Sequence, residues 1–190
     1  MSAVEQMQTP DPWLQSPGAP LTRADLDRWP DDGRRHELID GVLVVTPGPA
    51  FAHQDIVASV LVKLRLACPR ELCALPAPFD VVLAEDTVVQ PDVLVARRDD
   101  FATGELPGPP LLAVEVLSPS TRRFDVMVKF SRYEAAGCPA YWVVDPDTPS
   151  LIAWELRDGA YVQVAKATGD EPARLTSPFD VTVVPADLIS

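Results

Sequence analysis

Two acidic residues stand where an apolar strand should run. Asp92 closes the triplet Gln90-Pro91-Asp92 at the head of Val93-Leu94-Val95, and Glu115 lies inside Leu111-Leu112-Ala113-Val114-Glu115-Val116-Leu117. A strand buried on both faces carries no acid unless that acid has a partner, because an unpaired carboxylate in an apolar interior costs several kcal/mol or gives up its charge. A divalent cation would satisfy both acids at once. A turn role for Asp92 after Pro91 and a buried salt bridge from Glu115 to Arg122 or Lys129 are the bland alternatives. Further along, Asp125, Lys129 and Tyr133 recur at a spacing of four and share one helical face. That helix follows the Glu115 segment after a short turn at 118–120 and must pack back on the same sheet, which brings Lys129 toward the acids.

Elements able to hold such a group in place are legible on both sides. Thr22-x-x-Asp25 resembles a capping box opening a short helix that Pro30 ends, and Asp40-Gly41 suits a tight hairpin turn between 36–40 and 42–46. From His53 to Cys68 the apolar residues Ile56, Val57, Val60, Leu61, Leu64 and Ala67 fall at helical spacing. Strands are expected over Phe79–Ala84, Val88–Ala96 and Leu111–Leu117. Arg97–Pro110 is read as a loop, since it holds Gly104, Gly108 and three prolines. A second helix is expected over Thr121–Gly137, closed by Gly137-Cys138-Pro139. After it come an apolar strand at Ala140–Asp145, a hairpin around Asp158-Gly159 and a last strand near Phe179–Val184. The order is mixed α/β. Residues 1–20, rich in proline and without apolar periodicity, read as a flexible N-terminal tail.

Composition narrows the chemistry. The chain has 190 residues, 47% of them hydrophobic, enough for one domain with a real core. Only 2 His and 3 Cys are present and no CxxC occurs, so a structural zinc site or disulfide framework has little to build on. Carboxylate ligands point to Mg2+ or Mn2+. With no signal-like N-terminus and no apolar run of about 18 residues, the expectation is a cytoplasmic protein away from membranes. A net charge of −12 runs against a nucleic-acid partner. The basic pairs Arg34-Arg35, Arg97-Arg98 and Arg122-Arg123 can still form a local basic rim, or can be scattered solvated charges.

Taken in order, Pro91-Asp92, then Glu115 through Thr121, then Asp125, Lys129 and Tyr133, then Tyr141-Trp142-Val143-Val144-Asp145-Pro146 resemble the Uma-two family of the PD-(D/E)XK nuclease superfamily. The segments His36-Glu37-Leu38-Ile39-Asp40-Gly41 and His53-Gln54 agree with it as well. The resemblance spans roughly 20–185. It implies a restriction-endonuclease-like mixed central sheet flanked by helices, over 21–190, and a metal-dependent endonuclease acting on DNA. It implies Mg2+ or Mn2+ held by Asp92, Glu115 and the Val116 carbonyl. Where the superfamily pattern places its lysine, this chain has Leu117, so the resemblance gives that role to Lys129. Glu37 would hold a second metal or the attacking water, and His53 would contact a phosphate or carry a proton. Arg122, Arg123 and Tyr133 would face the substrate. A homodimer is expected, with Tyr141–Val144 and the exposed hairpin region as its interface. Two other readings stay open: a non-catalytic dimeric binding or regulatory module, and a hydrolase of small phosphodiesters or nucleotides, which would suit an acidic surface.

Overall fold

The computed structural model describes residues 14–15, 20–30, 32–46, 48–102, 104–118, 122 and 124–189. They fall in two compact units, one within 1–48 together with 85–88, the other comprising 49–84 and 89–190.

In the first unit, β1 (Leu14–Gln15) pairs antiparallel with β3 (Val42–Thr46), which pairs with β2 (Arg35–Ile39). The α1 helix is a single turn, Arg23–Leu26. Its start is fixed by Asp25, whose carboxylate accepts from both the backbone N–H and the hydroxyl of Thr22 at 2.9 and 2.8 Å. These bonds hold the Asp25 carboxyl below its usual pKa. The β2–β3 turn has Asp40 at φ 52° and Gly41 at φ 73°, the doubly left-handed turn that matches strand twist. A side chain at Gly41 would stand 2.6 Å from Pro20 Cβ, so only glycine fits.

The second unit is built on a six-stranded sheet. Its strands are β4 (Leu72–Pro76), β7 (Val93–Arg97), β9 (Leu112–Val116), β10 (Ala140–Asp145), β11 (Ser150–Arg157) and β12 (Ala160–Thr168). Across the sheet they run β12-β11-β10-β9-β7-β4, and only β9 and β10 are parallel neighbours. The connection between these two is the crossover at 117–139. It contains a π-helical turn, Phe124–Lys129, leading into α3, Phe130–Ala135. The expected strand Val88–Ala96 is broken: β6 covers Thr87–Val89 and β7 begins only at Val93. Pro91 lacks the N–H that a continuous ladder needs. Within the stretch read as a loop, β8 (Glu105–Pro107) pairs in parallel with β5 (Asp80–Ala84). A short antiparallel pair follows, β13 (Ala173–Leu175) and β14 (Val181–Val183), and after it comes a 3-10 turn at Pro185–Leu188.

Strand alternation sorts the sheet into two faces. On one, α2 (Phe51–Ala67) lays Ile56, Val57, Val60 and Leu64 against Val93, Val95, Leu112, Val114, Val116, Trp142 and Val144. Ala113, Glu115 and Tyr141 occupy the alternate positions and face the other way. On that second face Phe130 meets Tyr141, Trp154 and Tyr161 edge-on, at ring separations of 5.8, 5.3 and 5.0 Å. The dimer interface expected at Tyr141–Val144 is corrected by this arrangement. β10 is paired on both sides, and all four residues are buried, none more than 4% exposed.

The Tyr141 hydroxyl donates to the Asp125 carbonyl at 2.7 Å, a buried bond that ties the π-helical turn to the sheet. Tyr141→Phe removes that buried hydroxyl donor. The expected loss is about 1–3 kcal/mol, read as a lower midpoint in urea with an unchanged slope. An unchanged midpoint would show that the bond does not hold the turn.

Candidate functional site

Asp92 stands immediately ahead of β7, where the next cross-strand pair beyond Val93–Val114 would set it beside Glu115. Both acids are buried, at 4% and 1% exposure. Asp92 does more than end a strand. Its carboxylate Oδ2 accepts the Val116 N–H at 2.8 Å, so the side chain carries the hydrogen-bond ladder one step past the end of β7. His53, in the first turn of α2, completes the arrangement. Its Nε2 lies 3.0 Å from the Val116 carbonyl oxygen and 3.3 Å from Asp92 Oδ2.

Lys129 reaches the site from the π-helical turn, as its helical spacing predicts. Its Nζ lies 3.2 Å from Glu115 Oε1 and 3.5 Å from Asp125 Oδ1, with all three side chains buried. A single wide π turn inside a helix is a feature often found at functional sites. Here it places an ammonium between two carboxylates. Burial pushes the Tyr141 hydroxyl well above its usual pKa, and the negative charges of Glu115, Asp125 and Asp92 push it further.

Asp92, Glu115, Val116, Lys129 and His53 therefore converge. Asp125 joins them, a residue to which the motifs assign no role. Its signal was the four-residue spacing to Lys129. Glu37 belongs to the first unit, buried in β2, with Oε1 3.3 Å from Arg35 Nη2. Tyr133 is fully buried, its ring 5.3 Å from that of Tyr141, so it supports α3 from within and offers no face to a substrate. Arg123 lies outside the described residues. Arg122 grips Asp145 with a two-pronged contact at 2.6 and 2.8 Å and touches Asp147 at 3.1 Å. The other basic pairs are also drawn in part toward protein groups: Arg34 to Asp32, and Arg98 to the Arg70 carbonyl.

The Arg122 fork raises the arginine pKa and lowers that of Asp145, each chiefly through the hydrogen bonds they share. A carboxyl with a depressed folded pKa adds stability above its unfolded pKa of about 3.9 and loses it as pH falls through the folded value. The melting-temperature gap between wild type and Arg122→Ala should thus be present at neutral pH and close on acidification below about pH 4. A gap independent of pH would show that the contact acts through packing alone.

Which ion suits this donor set follows from its atoms. Asp92, Glu115 and the Val116 carbonyl offer hard oxygens only, which fits Mg2+ or Mn2+. Among the described residues no group of three or more His, Cys, Asp or Glu side chains forms a ready-made cage. No helix among the described residues is long and apolar enough to cross a membrane.

Comparison with known proteins bears on the fold and the family. A crystal structure titled as that of "a putative nuclease belonging to DUF820" from Anabaena variabilis superposes with a TM-score of 0.71 at 20% identity, covering 89% of this chain and 97% of the other. At that identity the likeness shows a shared fold. No curated protein matches. The family model Uma2, described as "Putative restriction endonuclease", matches residues 23–185. That match takes in the Asp92 turn, the Glu115 strand and the Lys129 helix alike, and the chain belongs to the Uma2 family.

Proposed function

We propose that this chain is a Mg2+- or Mn2+-dependent endonuclease that hydrolyses phosphodiester bonds, with DNA as its first candidate substrate. One observation carries the reading: two buried carboxylates at adjoining positions of neighbouring strands, with a lysine in contact with one of them. Asp92, Glu115 and the Val116 carbonyl would hold the cation. Such an ion, when bound, polarises a phosphoryl oxygen and makes water more acidic.

The chain's own residues supply the rest. Lys129 presents an ammonium beside Glu115, from which it orients a water and offsets charge developing at phosphorus. Asp125 holds that ammonium from the other side. The Val116 N–H fixes the Asp92 carboxylate, so one of its oxygens keeps a constant orientation. Leu117, at the usual lysine position, is buried at 4% exposure and adds to the core instead.

A second reading is favoured by charge. The net charge is −12, and Arg34, Arg98 and Arg122 each contact a protein acceptor. A small phosphodiester or nucleotide would meet less repulsion than a duplex. Cleavage of supercoiled plasmid, single-stranded DNA and a bis-aryl phosphodiester, each with Mg2+, Mn2+ or chelator, separates the readings. Metal-dependent nicking of plasmid supports the endonuclease. Hydrolysis of the small diester alone supports the second reading. No hydrolysis of any of the three by folded protein would leave the chain a non-catalytic binding module.

A further inference from the structure

His53 sits where a cation would have to enter. The Val116 carbonyl and the Asp92 carboxylate are both acceptors, so the Nε2 between them must carry the hydrogen and donate to the pair. An ion drawing on the same two oxygens needs to approach each to about 2.0–2.1 Å. It would occupy the wedge that this N–H now fills. We infer that His53 is a built-in occupant of the metal position, a gate whose imidazole must turn aside before Asp92 and Val116 can share a cation. The inference rests on the metal reading proposed above.

The surroundings permit the movement. His53 is the third residue of α2, and its side chain keeps 13% of its surface exposed. Phe51, two residues before it, is 85% exposed, so this turn of the helix borders solvent. The N–H holds both oxygens in place while the ion is away and limits the cost of two adjacent buried acceptors. His53 is thus a positioning residue that sets the threshold for metal entry.

Two readouts other than turnover test this. Calorimetry compares Mn2+ binding by wild type, His53→Phe and His53→Ala. Removing one donor that the metal must displace should tighten binding about tenfold in both variants. In protein with nitrogen-15-labelled histidine, adding Mg2+ should move the His53 Nε2 resonance and leave that of His36 in place; the chain has only these two histidines. Equal or weaker Mn2+ binding by the variants, with wild-type binding still lost in Asp92→Asn, would overturn the gate and leave the metal site standing. That pattern would make His53 a ligand or a bystander. Absence of Asp92-dependent binding in wild type and variants alike would overturn the metal reading, and the gate with it.

Discussion

Lys129→Met should cost the fold about 3–5 kcal/mol, because it strands Glu115 and Asp125 as buried carboxylates without their ammonium. The side chains of Lys129 and Glu115 are 4% and 1% exposed, so solvent does little to screen the loss. Glu115→Gln should destabilise for the mirror-image reason. Combined in one protein, the two changes should cost less than the sum of the singles by about 0.5–3 kcal/mol, since the second removes the charge the first exposed. Urea unfolding of the four proteins measures this directly. Strict additivity would mean the two side chains are not an energetic unit. Activity should behave differently from stability: neither single variant nor the double should cleave, because the double restores no charge at the site.

Asp92→Asn should lower metal-dependent cleavage by about a thousandfold or more, a barrier change of roughly 4 kcal/mol. The asparagine side chain still offers an oxygen to the Val116 N–H, so the backbone at the end of β9 keeps its bond. Stability should therefore change much less than rate. Single-turnover cleavage with excess protein, alongside thermal melts, checks both halves. Wild-type rates in Asp92→Asn would remove Asp92 from the chemistry. A large loss of stability would mean that its charge mainly holds the fold.

Much of the site was legible because its signals are local. Glu115 violates the pattern of an apolar strand, and Lys129 falls four residues from Asp125 on one helical face. The hairpins at Asp40-Gly41 and Asp158-Gly159 announce themselves through turn chemistry, and both have the left-handed φ values that such pairs favour. The long helix was expected from His53 to Cys68 and runs Phe51–Ala67. What escaped depends on distant partners. β4 has no strong alternation, and it becomes a strand by pairing with β7 from Leu72–Arg97 to Pro76–Val93. β8, bounded by Gly104 and Pro107-Gly108, exists because β5 offers it a ladder. The π turn leaves no mark in apolar spacing, since Asp125 and Lys129 stay in contact across it.

The contacts of His53 with Val116, 63 residues away, and of Asp92 with Val116, 24 residues away, are of the same kind. No periodicity encodes them, because the strand order β10-β9-β7 that creates them is a tertiary fact. Tyr133 shows the reverse case. It shares a helical face with Lys129, and the family resemblance implies a place beside the substrate. The aromatic cluster at Tyr141 instead buries it completely. Spacing told which residues share a face, and packing decided what that face meets.

The central claim is that Asp92 and Glu115 jointly hold a divalent cation. Calorimetric titration of Mn2+ into wild type, Asp92→Asn and Glu115→Gln tests it without reference to any substrate. The account predicts one site in the wild-type protein and its loss in both variants, with each variant still folded. Equal binding in all three, or none in folded wild type, would contradict it and make the carboxylate pair part of a buried ion-pair network that serves the fold alone.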